Sequence, residues 1–182
     1  MPSKKIFAVV GMCGSGKSEI IKYLQEKLSA PVVYFGAATF DELARAGMPV
    51  NEKNERHMRE KIRQDLGMGA YAILNLPKIA KLLKENKVVL IESLYSWTEY
   101  KVIKEKFGDI FKIIAAVASP AMRQKRLAIR KERPLNKKTA IARDYSEIEN
   151  LEKGGPIAMA DYIIINEGTL KDLHKKIDCI WT

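Results

Sequence analysis

The stretch VVGMCGSGKSEI, residues 9–20, decides how this chain is read. Gly11, Gly14, Gly16, Lys17 and Ser18 satisfy G-x-x-x-x-G-K-[ST], the pattern of a loop that wraps a phosphate. Glycines let the backbone turn its amides inward, and the start of the following helix adds positive potential. Gly11, Met12, Cys13, Gly14, Ser15, Gly16, Lys17, Ser18 and Glu19 are therefore the expected nucleotide-binding run. Lys17 reaches the β and γ phosphates, and the Ser18 hydroxyl is a ligand for Mg²⁺. The context matches the mechanism. Residues 4–10 are a β-branched and aromatic run, and residues 17–28 carry Ile20, Ile21, Leu24 and Leu28 at helical spacing, so the loop joins a strand to a helix.

Working outward, strands are expected at residues 32–35, 87–91, 113–118 and 162–165, each apolar on both faces as a central parallel sheet requires. Helix starts fall between them. Ser96 and Glu99 form a capping box and Gly108 ends the helix they open. Ser119 with Pro120 gives an N-cap followed by proline at the first helical position. Thr169 and Asp172 open a last helix with the apolar stripe Leu170, Leu173, Ile177 and Ile180. Pro77 is expected to kink or interrupt a helix over residues 70–84. Strands alternating with helices predict an α/β fold, three layers with a five-stranded parallel sheet flanked by helices.

At 182 residues with 47% hydrophobic content, one compact domain over residues 1–182 is expected. No apolar run is long enough for a bilayer and no signal-peptide cleavage pattern stands at the N-terminus, so a cytoplasmic protein without membrane attachment is expected. Cys13 and Cys179 suit a reducing compartment better than a disulfide framework. His57 and His174 lack metal-ligand spacing.

The net charge of +10 points to an anionic partner, and it is concentrated. Residues 119–144 hold nine basic side chains against two acidic ones, a local charge of +7. Within this segment Arg123, Arg126, Arg130 and Arg133 recur at steps of 3, 4 and 3, which places them on one face of a helix starting at Pro120. Arg143 follows a stretch rich in Pro, Asn and Lys, as a flap over phosphates would. Glu92, after four apolar residues in VVLIE, is the expected carboxylate near the metal. Lys17, Glu92, Arg126, Arg130 and Arg143 are the expected catalytic set, with Ser18 and Glu92 on the metal. A nucleotide-dependent nucleic-acid-binding or switch protein would want the same arginines. Its basic segment lacks the aromatic interleaving that stacks bases, which favours a small-molecule acceptor. The sequence carries no signal of oligomeric state.

Taken together, the loop, VVLIE, RLAIRKERP, RDYSEI (residues 143–148) and ADYIIINEG (residues 160–168) resemble the P-loop nucleoside monophosphate kinase superfamily, and more closely the dephospho-CoA kinase and adenylate kinase-related proteins. The resemblance implies an ATP- and Mg²⁺-dependent phosphotransferase with an acceptor-binding insertion over residues 36–75 and a lid over residues 120–148. It implies that Arg126 packs against the donor base and that Arg130 and Arg143 face its phosphates. It also implies that Asn166 and Gly168 lie near the adenine. The acceptor is expected to be nucleotide-type, a nucleoside monophosphate first and dephospho-CoA as the alternative. The segment YFGAATFDELARAG departs from the pattern: Ala37 and Phe40 stand where the adenylate kinase-like sequence has an acid and an arginine. Asp41, Arg45, Arg59, Arg63 and Tyr95 are then the expected acceptor-binding residues.

Overall fold

The computed structural model describes residues 4–180. Strands β1 (Lys5–Val10), β2 (Val32–Tyr34), β3 (Val88–Glu92), β4 (Phe111–Val117) and β5 (Tyr162–Ile165) form one parallel sheet in the order β2-β3-β1-β4-β5. The helices are α1 (Lys17–Leu28), α2 (Ala37–Arg45), α3 (Glu52–Leu66), α4 (Ala70–Glu85), α5 (Trp97–Phe107), α6 (Pro120–Ile129), α7 (Lys137–Glu149), α8 (Gly154–Ala158) and α9 (Leu170–Asp178). Alternation along β1 splits its side chains between two apolar layers. Phe7 and Val9 meet Ile20, Ile21 and Leu24 of α1 and Leu173 and Ile177 of α9. Ile6, Ala8 and Val10 face the layer holding Ile79 and Leu83 of α4 and Tyr100 and Ile103 of α5. Burying each large apolar side chain contributes on the order of 1.5–3 kcal/mol, so both helical layers are anchored by the central strand.

This order puts β1 between β3 and β4, with Val9 paired to Glu92 on one side and Ile114 on the other. The carboxyl ends of the three strands converge where ligands bind in open parallel sheets. Among the described residues no helix is long and apolar enough to cross a membrane.

Two local expectations change, and of the kink or interruption expected at Pro77 the interruption is absent. Helix α4 runs unbroken from Ala70 to Glu85 with Pro77 inside it, because buried contacts from Tyr71, Ile79 and Leu83 outweigh the one backbone hydrogen bond that proline removes. Helix α6 ends at Ile129, so the four arginines do not share one helical face. Arg130 is already extended at φ −66° and ψ 144°, and Arg133 takes the left-handed conformation at φ 49°. Repulsion between like charges one turn apart disfavours further turns there. The last helix closes at Asp178, with Leu170 exposed, while Ile180 packs against the core from beyond the helix end.

The capping box is present as read. Ser96 Oγ accepts from the Glu99 amide and donates to the Met68 carbonyl, so one hydroxyl caps α5 and ties it to the turn before α4. Ser96→Ala is expected to lower the unfolding free energy by about 1–2 kcal/mol, as cap removal does, measured by urea denaturation.

Candidate functional site: a phosphate loop and an arginine-rich pocket

The loop after β1 turns on glycines that other side chains cannot replace. At Gly11, φ 144°, a Cβ would lie 2.3 Å from the Ala116 carbonyl oxygen of β4. At Gly16, φ 98°, it would lie 2.3 Å from Asn166 Nδ2. Backbone therefore passes close to β4 and to the β5–α9 loop, and Asn166 Nδ2 donates to the Ser15 carbonyl at 2.9 Å. Arg123, buried at 6% exposure, fixes the outer side. Its guanidinium donates to the Cys13 carbonyl at 3.3 Å, to the Ala118 carbonyl at 3.2 Å and to Asp144 Oδ1 at 2.7 Å, tying the loop to α7. Cys13 itself packs with Leu127 and Ala140 beneath the loop.

The loop fits a phosphate chain. Gly16 caps α1 with no side-chain acceptor, which leaves the first-turn amides facing the loop. Ser15 Oγ is buried without a hydrogen-bond partner. Lys17 Nζ donates to the Met12 carbonyl at 3.0 Å. Burial, reinforced by the charge of Lys153, lowers the Lys17 pKa to about 8, a state that an incoming anion would relieve. Ser18 is exposed at the start of α1, and Glu92 ends β3 beside Val9. Among the described residues no three His, Cys, Asp or Glu side chains cluster as a metal site. A divalent ion here would need the nucleotide's phosphates as its remaining ligands, which is how Mg²⁺ is commonly held.

One pocket borders the loop at Gly16, and a second, larger one lies past the ends of β2 and β3. The first, of about 220 Å³, brings together Gly16, Glu19, Arg126, Asn166 and Gly168, all expected nucleotide contacts, with Leu170 and Leu173 as its apolar floor. Arg126 Nη2 donates to Asn166 Oδ1 at 3.4 Å, and its Nη1 is buried with no partner. The other, of about 440 Å³, is lined by Arg59, Arg63, Arg133 and Arg143, by Tyr34, Tyr71 and Tyr95, by Thr39 and Ser93, and by Glu52, Glu55, Glu99 and Glu147. Arg63 lies 5.3 Å from the Tyr71 ring centroid and Tyr71 shares a 2.7 Å hydrogen bond with Thr39. Charges at one end are tightly coupled. Glu147 accepts from Arg143 Nε at 3.0 Å and from Lys153 Nζ at 2.6 Å. Burial pushes the Glu147 carboxyl up, but Lys153 and Arg143 outweigh it and hold it below the ordinary range. Burial raises the Glu99 carboxyl to about 7, even though its Oε2 accepts from the Tyr95 and Ser96 amides.

The expected site residues thus divide. The phosphate-loop run, Arg126, Asn166 and Gly168 gather at the loop and the smaller pocket. Arg59, Arg63, Tyr95 and Arg143 gather at the larger one. Asp41 and Arg45 sit on the exposed side of α2, Arg45 paired with Glu42, outside both linings. Arg130 donates to the Arg133 backbone carbonyl and reaches neither pocket. Sequence reading missed Glu99 as a pocket residue, although its capping box follows directly on β3 and so falls at the carboxyl edge of the sheet. It also missed Glu147, which stands one helical turn after Arg143. Lys153 carries no sequence signal of its burial.

Sheet order, strand-loop-helix glycine turn, part-buried lysine and adjoining pockets define a P-loop NTPase. A family model described as an AAA domain matches residues 8–153, and a UPF0200 protein from Pyrococcus abyssi is 34% identical over 96% of this chain and 94% of its own length. The chain belongs to these AAA-domain, UPF0200 proteins. Its fold is similar to that of shikimate kinase from Bacteroides thetaiotaomicron, at TM-score 0.61 and 13% identity over 97% of this chain and 96% of that one. A gluconokinase from Sinorhizobium meliloti aligns at TM-score 0.56 and 14% identity over 98% and 93%.

Glu99 supplies a pH test of this site. Its folded pKa is raised from 4.5 to about 7, so its favourable contribution is complete below pH 4.5 and is lost as pH rises through 7. Glu99→Gln keeps an oxygen for both amides and has no charge to bury. The stability of E99Q relative to the parent should shift in the variant's favour by up to about 3 kcal/mol between pH 4.5 and pH 8, at 1.36 kcal/mol per pKa unit, read from paired denaturation curves.

Proposed function

We propose that the protein is an ATP- and Mg²⁺-dependent kinase that moves the γ-phosphoryl group to a phosphorylated, nucleotide-type acceptor, a nucleoside monophosphate before all others. The observation that carries this reading is the placing of Arg143. It lines the arginine-rich pocket, and its neighbour Asp144 is tied through Arg123 to the Cys13 carbonyl of the loop, so donor phosphates and acceptor would meet at one point. Four arginines in the pocket suit an anionic acceptor, and Tyr34, Tyr71 and Tyr95 offer faces for a ring. The kinase neighbours in fold support the same class of reaction.

Each residue then has a role. The loop amides and Lys17 bind the donor phosphates, and Arg126, Asn166 and Gly168 border the donor base. Ser18 and Glu92 would hold Mg²⁺, which when bound neutralises charge on the phosphates. Arg59, Arg63 and Tyr95, within the acceptor segment 36–75 and just after β3, orient the acceptor. Residues 120–148 form the lid, and Arg130 joins the site only on lid closure, since it now bonds to the Arg133 backbone. Phosphoryl transfer depends on positioning and charge neutralisation, which this set supplies. A second acceptor, dephospho-CoA, is favoured by one feature: the Glu147 carboxylate beside Arg143 is suited to orient an acceptor hydroxyl.

ADP release with ATP and Mg²⁺ across nucleoside monophosphates, deoxynucleoside monophosphates and dephospho-CoA tests this reading. Acceptor-dependent ADP is expected, falling by at least about 10²-fold in Lys17→Ala with the fold retained. Acceptor-independent hydrolysis alone would overturn it. Arg143→Ala should lower kcat more than donor affinity, since its contact with the transferring group forms in the transition state.

A further inference from the structure

Lys153 is buried to 2% exposure, which lysine rarely is unless paired. The chain takes trouble to put it there. Glu152 adopts the left-handed conformation at φ 51°, and the Lys153 amide donates to the Glu147 carbonyl at 3.2 Å. Two residues on, Gly155 presses so closely on Trp97 that a Cβ would lie 2.9 Å from its ring, which seats the start of α8 on α5. The Lys153 ammonium lies 4.4 Å from the Tyr95 ring centroid and bonds to Glu147 at 2.6 Å, and both of those residues line the larger pocket.

A buried ion pair by itself is a weak reason for such a placement, because desolvation of both partners offsets their attraction. Here the imbalance is larger. Glu147 is shared between Lys153 and Arg143, on a helix that Arg123 ties to the Cys13 carbonyl of the loop through Asp144. The four arginines of the pocket lining are matched by its four glutamates, so Lys153 adds a cation that the lining leaves unbalanced. Even with Glu99 ionised as well, the junction keeps an excess positive charge, and buried charge without a partner is costly. An anion is the group that completes it.

We propose that Lys153 is a phosphate-binding residue of the transfer site. Its ammonium, held by Glu147 at the edge of the larger pocket, contacts the γ-phosphoryl group as it passes from donor to acceptor. This rests on the kinase reading above. In the transfer the bond from the γ phosphorus to the β–γ bridging oxygen breaks, ADP departs with the electron pair, and a new bond forms to the acceptor oxygen. Lys153 supplies positive charge throughout and gives up no proton. Before nucleotide arrives, Glu147 is the counter-ion that keeps both Lys153 and Arg143 aimed at the junction.

Equilibrium binding of ADP and of the β,γ-imido analogue of ATP, each with Mg²⁺, separates this role from a structural one. In Lys153→Met the ADP affinity should stay within about twofold of the parent, while affinity for the imido analogue falls by about tenfold or more, the loss of one charge-assisted hydrogen bond. Lys153→Arg should recover part of it. Thermal unfolding of each variant is followed in parallel. If Lys153→Met alone does not fold, the double variant Glu147→Gln/Lys153→Met, which removes both buried charges, is compared with Glu147→Gln instead. Equal loss on both nucleotides, or loss on neither, would overturn the proposal and leave Lys153 a packing residue. Failure of the parent protein to bind either nucleotide would instead overturn the kinase reading beneath it.

Discussion

The structure depends on a turn that must carry no side chain where it passes β4 and Asn166. Between β1 and α1 the chain runs so close to the Ala116 carbonyl and to Asn166 that a single methylene at Gly11 or Gly16 would overlap them. Everything near the loop is arranged around that thinness. Asn166 reaches Ser15 across it, and Arg123 grips Cys13 from the other side. Lys17 folds back over it onto Met12. The donated hydrogen bonds come from the β5–α9 loop, α6 and α1, so two segments distant in sequence are referenced to one turn together with the helix that follows it.

Charge is distributed on the same plan. The strongly basic segment does not act as one surface. Arg123 is consumed in holding the loop to Asp144, Arg126 borders the smaller pocket, and Arg143 enters the larger one. Glu147 then gathers Arg143 and Lys153 at one end of that pocket. A cation that looks interchangeable with its neighbours in sequence becomes a latch, a pocket wall or part of a charged junction according to what it packs against. Burial decides how each one acts, since an exposed ion pair is worth little, whereas a buried cation left without a partner is costly.

Much of the fold was legible in advance because its signals are local. Apolar runs of four to seven residues gave the strands, and Ser96 with Glu99 and Thr169 with Asp172 marked helix starts that the structure keeps as capping boxes. The failures were also local rules overruled from a distance. Pro77 does not break α4 because the tertiary core holds that helix, and the arginine spacing did not extend α6 past Ile129. In the site, residues next to a motif could be named from the sequence and residues brought in by topology could not. Arg45 and Asp41 looked like acceptor contacts from their place in the chain, yet α2 turns them outward, whereas Arg59 and Arg63 of α3 line the pocket.

By itself, then, the sequence determined the strand-loop-helix unit, the glycine turn and its lysine, and the alternation that demands a parallel sheet. These follow from steric freedom at glycine and from periodicity, both properties of neighbouring residues. Tertiary structure alone decided which charges face one another. The β2-β3-β1-β4-β5 order brings the ends of β3 and β1 beside the loop, and the turn at Glu152 carries Lys153 beneath Tyr95 and onto Glu147. No spacing in the chain encodes that meeting, because it depends on how helices pack across the sheet and on the desolvation their packing imposes.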